Sequence, residues 1–413
     1  MKILYISQYF PPEIAAPAVR VSELSRHWAA GGHEITVLTG FPNHPTGIVP
    51  PEYRSKLRRL FFRESQDGIR VVRTWLWPRP NRGALGRMLS FVSFSSSAAI
   101  SGLFLARPDI VIATSPQLLV GLTGWWLARA KRVPFVFEVR DLWPESLAAV
   151  GMGTEGSLLH RVLGLIAEFL YRESDHIVVV TPAFKKYLVE HWNVPAEKIS
   201  IIQNGVESDL FQPRAPSAVL RQELGAEGKF LICYIGTMGM AHGLDTILQA
   251  ATQLRESLPR VLFILVGEGA EKERIAAQAR SLGLTNVRIV NQQPRERIPE
   301  YICASDACLV LLKDTPLFRT VIPTKMLEFM SCGRPVILGV DGQAREIMEE
   351  ANAGLFIPPG DATALSQAIV RLSSDTKLRD TLGTNGRRHI LLHFSRQKTA
   401  EAYLQMLSTL VGN

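Results

Sequence analysis

Phe230-Leu-Ile-Cys-Tyr-Ile-Gly-Thr-Met-Gly-Met-Ala-His-Gly-Leu-Asp245 runs from an unbroken apolar segment through a turn with three glycines into a helical pattern. Working downstream, Val261–Val266, Val287–Val290, Ala307–Leu311 and Pro335–Leu338 have the same strand character, with helical stretches between them. Upstream the grammar is the same. Strands are expected at Lys2–Ser7, Glu34–Leu38, Ile69–Arg73, Ile110–Ala113, Phe135–Val139 and Ile177–Val180, and helices at Ala18–Ala30 and Leu158–Glu173. Strands alternating with helices imply a parallel sheet covered on both faces. The pattern restarts after Asn204-Gly205-Val206, so the fold class is α/β, with two doubly wound units in tandem. Ligands of such sheets sit beyond the carboxyl ends of the strands. Two facing units therefore predict a cleft, with the chemistry in post-strand loops on both sides.

The bulk numbers agree. A chain of 413 residues suits two or three domains, and 46% hydrophobic with 20% charged residues excludes disorder, collagen and coiled coil. The net charge of +8 is unevenly placed: residues 1–200 carry 23 basic and 16 acidic side chains, the remainder 23 and 22. Tyr53 to Met88 alone holds Arg54, Lys56, Arg58, Arg59, Arg63, Arg70, Arg73, Arg79, Arg82 and Arg87 against Glu64 and Asp67. No recognisable nucleic-acid-binding motif accompanies these arginines, so a nucleic-acid partner is not expected. Cys233, Cys303, Cys308 and Cys332 lack metal-ligand spacing and read as buried thiols of a reducing compartment. The opening Lys2-Ile-Leu-Tyr-Ile6 is too short for a secretory leader. The serine-rich run Met88–Ala106 reads as a buried or membrane-surface helix rather than a span.

Several loops combine turn residues with chemistry. Gln8-Tyr-Phe-Pro-Pro-Glu-Ile-Ala-Ala-Pro17 opens a helix whose free amides suit an anion; Ala15 and Ala16 allow close approach, and Arg20 lies one turn inside. Gly40-Phe-Pro-Asn-His-Pro-Thr-Gly47 presents His44, its one group titrating near neutrality. Phe135-Val-Phe-Glu-Val-Arg-Asp-Leu-Trp-Pro-Glu-Ser146 ends an apolar strand on Glu138, Arg140, Asp141 and Glu145, which need mutual pairing or a polar ligand. In the second half, Gly236-x-x-Gly239-x-x-x-Gly243 resembles a phosphate-cradling turn without matching the dinucleotide fingerprint. Gly267-Glu-Gly269 follows the next strand, and Asn291-Gln-Gln-Pro294 offers amides suited to a base edge. Pro323-Thr-Lys-Met-Leu-Glu328 reads as a helix start, with Lys325 and Glu328 on one face. A cation plus helix amides suits a diphosphate, and a carboxylate one turn deeper suits a ribose diol.

Taken in order, these segments resemble the family 4 retaining glycosyltransferases of GT-B fold, along essentially the whole chain. The landmarks are Phe10-Pro-Pro-Glu13, Gly32-His-Glu-Ile-Thr-Val-Leu-Thr39, Asn204-Gly-Val206, Phe211-x-Pro213, Val266-Gly-Glu-Gly269, Ser305-Asp306 and Glu328-Phe-Met-Ser-Cys-Gly-Arg-Pro-Val336. Thr39–Gly47, Arg140–Ser146 and Pro323–Lys325 resemble the branch of colanic-acid and O-antigen transferases, including N-acetyl-L-fucosaminyltransferases. The resemblance implies two facing Rossmann-like domains: an acceptor-binding 1–203, with a C-terminal helix 395–413 packing back on it, and a nucleotide-sugar-binding 204–394. It implies that Glu328 binds the donor ribose and that Thr324, Lys325 and Met326 hold the diphosphate. Ala15, Ala16, Gly236, Thr237, Gly239, His242 and Gly267 then flank the phosphates. Gln292 falls at the nucleobase, and Arg140 or Asp141 where many members place a histidine beside the donor sugar. Three departures stand out: Thr320 replaces the first of two glutamates eight apart, Met238 and His242 replace an Arg/Lys pair, and Ala15-Ala16 replaces paired glycines.

The expected activity is retaining transfer of a sugar, with N-acetyl-L-fucosamine one possibility, from a UDP-sugar to an undecaprenyl-diphosphate-linked saccharide in surface-polysaccharide assembly. No Asp-x-Asp metal segment is present, so no metal is expected and cations must meet the leaving charge. Lys325 is first choice, supported by Arg20, Arg319, Arg140 and His242. The expected location is the cytoplasmic face of an anionic membrane, held peripherally by the basic stretch. The competing readings are a sugar-nucleotide 2-epimerase of the same fold and a catalytically silent nucleotide-sugar-binding module.

Overall fold

The structure, a computed structural model, describes residues 1–13, 15–44, 46–79, 84–145 and 156–412. Ile14, Pro45, Arg82 and Ser146, each within a segment quoted above, lie outside the described residues. The chain divides into two units, Met1–Asn204 with Arg396–Asn413, and Gly205–Ser395.

The first unit is built on eight strands: β1 (Lys2–Ile6), β2 (Glu34–Gly40), β3 (Phe61–Gln66), β4 (Ile69–Thr74), β5 (Ile110–Thr114), β6 (Phe135–Val139), β7 (His176–Val179) and β8 (Ile199–Ile201). Their order is β3-β4-β2-β1-β5-β6-β7-β8, and every neighbouring pair is parallel except β3 with β4. The interior strands β5 and β6 are buried along their whole length, which is why they read as apolar runs. Helices α1 (Ala16–Ala30), α2 (Ala84–Leu103), α3 (Leu119–Lys131), α4 (Leu158–Glu173) and α5 (Pro182–Trp192) connect them. The C-terminal helix Arg396–Val411 packs on α1. Trp28 Nε1 donates to the Ala400 carbonyl (2.9 Å), the Trp28 ring meets Tyr403 edge-on, and Arg396 pairs with Glu23 at 2.8 Å.

Strand β3 was not expected from the sequence, because four of the six residues of Phe61-Phe-Arg-Glu-Ser-Gln66 are polar or charged. A signal was present. Asp67 and Gly68, both with positive φ, form the two-residue turn that joins antiparallel strands. The hairpin changes the meaning of the basic stretch. Arg73 lies fully buried, its guanidinium paired with Glu64 at 2.6 Å and bonded to the Gly40 and Pro11 carbonyls. Arg70 pairs with Glu34 (2.7 Å), and Lys56 lies over the Phe62 ring. The stretch is thus a surface patch only in part.

The second unit is a six-stranded, wholly parallel sheet of β9 (Phe230–Ile235), β10 (Val261–Val266), β11 (Val287–Val290), β12 (Ala307–Leu311), β13 (Val336–Gly339) and β14 (Gly354–Phe356), in the order β11-β10-β9-β12-β13-β14. β14 and β8, three residues each, were also missed; they are too short to leave a pattern. Helices α6 (Asp245–Ser257), α7 (Lys272–Ser281), α8 (Ile298–Ala304), α9 (Thr324–Ser331) and α10 (Gln343–Ala351) join the strands. Separate apolar clusters cover the two faces of this sheet. All four cysteines are free and buried, Cys233 beside Cys308 on paired strands.

Candidate functional site

The chemistry of the second unit gathers at the carboxyl ends of its strands. There the loops after β9 and β10 are stacked backbone on backbone: Gly236 N–H donates to the Val266 carbonyl (3.0 Å) and Met238 N–H to Glu268 (2.8 Å). A Cβ at Gly267 would lie 1.9 Å from the Gly236 oxygen, and one at Gly269 2.3 Å from the Met238 oxygen. These glycines permit the stack, a role distinct from cradling phosphate.

Lys325, in the first turn of α9, turns its ammonium into the space beside Gly236, where a Cβ would be 3.3 Å from Nζ. Nζ sits 4.2 Å above the Tyr234 ring and donates to the Tyr234 hydroxyl at 3.2 Å. Among the described residues Lys325 makes no ion pair. Burial lowers it to about 7, with Glu328 pulling the other way. Glu328 is instead joined to Arg295, Nη1 to Oε1 at 2.9 Å. The i,i+3 spacing of Lys325 and Glu328 therefore places them on one face without pairing them.

Other expected donor residues divide. Thr324 opens α9, but the Met326 amide donates to the Pro323 carbonyl and its side chain is buried in the core. Thr237 and Gln292 are exposed and Gly239 half-exposed at the same strand ends. His242, brought in as a supporting cation, is corrected: burial, with Lys325 nearby, lowers it to about 3, so at neutral pH it is uncharged. Arg319 pairs with Asp314 at 3.0 Å on the surface.

In the first unit, Arg20 is the clearest correction. Its side chain is 1% exposed and is spent on the fold: Nε to Glu138 (2.9 Å), Nη2 to the Ile202 carbonyl (2.9 Å), Nη1 to Gln203 O (3.0 Å) and Asn204 Oδ1 (3.2 Å). Burial opposes charge on Glu138, yet Arg20, Arg140 and the Tyr5 hydroxyl hold its carboxyl below the usual range. Arg20 is a strut across α1, β6 and the end of β8. Arg140 and Asp141 remain half-buried at the end of β6, with Ser115 Oγ accepting from the Arg140 amide at 2.7 Å. Burial raises Asp141 to about 6 and lowers Arg140. Ala15 caps α1 with no side-chain bond and Ala16 is exposed, so no side chain competes there for a ligand.

His44 is half-buried, 5.1 Å from the Tyr9 ring, and burial lowers its pKa. Its loop is tied down by Glu13, a landmark to which the sequence assigned no role of its own. Glu13 Oε1 accepts from the amides of Asn43 (2.9 Å) and His44 (2.8 Å), linking the loops after β1 and β2; burial raises Glu13 to about 7. Tyr234 and Arg295 were likewise given no role. The aromatic at the end of β9 reads as core, and Arg295 as one of many surface arginines.

The model "Glycosyl transferase 4-like domain" matches residues 16–205, and "Glycosyl transferases group 1" matches 217–389. This chain is a group 1 glycosyltransferase. The transferase is 26% identical to the colanic acid biosynthesis glycosyl transferase WcaI of Escherichia coli (strain K12), over 82% of this chain and 83% of that protein. Among solved structures it is similar to the sucrose-phosphate synthase of Thermosynechococcus elongatus (TM-score 0.77, 22% identity, 99% of each chain). It is also similar to Anabaena HepE in complex with UDP-glucose (TM-score 0.74, 20% identity, 99% of this chain and 100% of that one). These likenesses show that the transferase has the GT-B fold, with two Rossmann-like domains.

Proposed function

We propose that the transferase moves a sugar, with retention, from a UDP-sugar to a lipid-diphosphate-linked saccharide in surface-polysaccharide assembly. The observation that carries the donor assignment is Lys325, a half-buried ammonium without a carboxylate partner among the described residues, beside a glycine turn and the start of α9. Support comes from HepE, whose structure is described as a complex with UDP-glucose, and from WcaI, named for colanic acid biosynthesis.

In this reading the second unit binds the donor and the first the acceptor. Lys325 and the Thr324 and Lys325 amides meet the charge that grows on the diphosphate as the sugar–oxygen bond breaks, without a resident metal. Glu328 accepts from the ribose hydroxyls. The departing phosphate takes the proton of the attacking acceptor hydroxyl, and Arg140, Asp141 and His44 orient the reacting sugar. Incubation with radiolabelled UDP-sugar and membrane lipid tests the reading: labelled lipid is the expected product. Epimerised sugar nucleotide, or bound but unreacted donor, would replace it with one of the competing readings.

We further propose attachment to the cytoplasmic face of an anionic membrane. No described helix is long and apolar enough to span one. Support comes from α2, α3 and α4, successive helices that touch one another and leave Leu89, Val92, Trp126, Leu158, Val162 and Leu165 more than a third exposed. Beside them, Arg129 pairs loosely with Glu173 while most of its side chain stays in solvent. Vesicles containing anionic lipid should sediment the protein at 0.1 M salt and release it near 0.5 M, where the Debye length falls to about 4–5 Å. Retention at 0.5 M that Leu165→Asp abolishes would assign attachment to the apolar face instead; absence of sedimentation at either salt would reject attachment.

A further inference from the structure

We propose that Arg295 is a positioning residue for donor binding: by holding the Glu328 carboxylate, it keeps Glu328 from neutralising Lys325. The inference rests on the donor-binding role of Lys325 stated above.

Opposite charges three residues apart on a helix pair with one another unless something stronger intervenes. On α9 something does. Arg295 approaches Glu328 from a separate element, the single turn Arg295–Arg297 that follows the loop after β11. Its Nη1 lies 2.9 Å from Glu328 Oε1, with the two side chains only 20% and 11% exposed. The guanidinium is itself fixed, its carbon 4.9 Å from the centroid of the buried Phe211 ring. Phe211 is anchored in turn, its carbonyl accepting from Ser331 Oγ (2.6 Å) and Arg387 Nη1 (2.9 Å). A planar, rigidly held guanidinium outcompetes a flexible ammonium for a carboxylate.

The consequence falls on Lys325. With Glu328 engaged elsewhere, the ammonium turns to Tyr234 and Gly236, where the other nearby titratable group is the neutral His242. With Lys325 protonated, as a diphosphate would favour, Lys325, Arg295 and Glu328 together leave one net positive charge at the start of α9. Were Glu328 to swing to Lys325, that charge would be tied up in an internal pair and a diphosphate would have to break it.

The test is UDP affinity by titration calorimetry on the full chain, for Arg295→Ala, Arg295→Lys, Glu328→Gln and Arg295→Ala/Glu328→Gln. Arg295→Ala should weaken UDP at least tenfold. Adding Glu328→Gln should restore affinity to within about twofold of Glu328→Gln alone, because an amide cannot neutralise Lys325. Arg295→Lys should recover most of the wild-type value. A merely structural role for Arg295 would not be rescued by changing its partner, so a double variant as weak as Arg295→Ala overturns the inference, as does wild-type affinity in Arg295→Ala. Lys325→Ala serves as the separate control. If it binds UDP like wild type, the donor-site reading itself fails; if it loses UDP while Arg295→Ala does not, only the role of Arg295 fails.

Discussion

Lys325→Ala is expected to lower kcat/KM by about 100-fold while leaving the melting temperature within a few degrees of wild type. Removing one preorganised donor from developing oxyanion charge costs about 3 kcal/mol. Lys325 contributes its charge where few substitutes exist, since His242 is neutral and Arg20 is committed elsewhere. Burial also gives this lysine a pH signature. With its pKa lowered from the usual 10.5 to about 7, the free protein holds Lys325 largely neutral above pH 7, whereas a bound diphosphate favours the ammonium. UDP binding should therefore take up a fraction of a proton near pH 8, read as a dependence of calorimetric enthalpy on buffer ionisation heat, and affinity should fall as pH rises. In the absence of ligand the folded state holds fewer protons than the unfolded chain between pH 7 and 10.5, so Lys325 makes stability rise with pH in that window. Pure proton release near pH 8, or full activity in the alanine variant, would refute the assignment.

Arg20→Ala should lower the stability of the first unit by about 3–5 kcal/mol, since breaking a buried pair leaves Glu138 charged and unmatched. For a unit of this size that is a fall of roughly 10 °C in melting temperature. UDP affinity of the remaining folded protein should be unchanged. A variant that melted like wild type but lost UDP would restore Arg20 to the phosphate. The contrast with Lys325 is instructive: two cations, each expected from the sequence to meet phosphate, stand in opposite surroundings. Arg20 donates to protein oxygen from Nε, Nη1 and Nη2, whereas Lys325 donates to one tyrosine hydroxyl.

Local patterns made much of this molecule legible. The run Phe230–Ile235 is buried on both faces, as an interior parallel strand must be, and Pro323 does precede the helix that begins at Thr324. The edge strand Phe61–Gln66 was less legible, because one face meets water and its charges hide the alternation. Glu13 was quoted only as part of a loop. Its role depends on amides thirty residues away, which come near only when β1 and β2 pair.

By itself, then, the sequence determined the order of strands and helices, the tandem α/β units and the loops that bear ionisable groups. Those properties depend on short-range periodicity, and burial imposes that periodicity residue by residue. Only the tertiary structure decided which charge each ionisable group takes as partner. Arg20 finds Glu138 across 118 residues, and Glu328 finds Arg295 across 33 while passing over the lysine three residues before it. A side chain's charge is written in the chain, but the desolvation that shifts it and the neighbour that neutralises it come from segments brought together by folding. That is why Arg20 became a strut, whereas Lys325 has no carboxylate partner among the described residues.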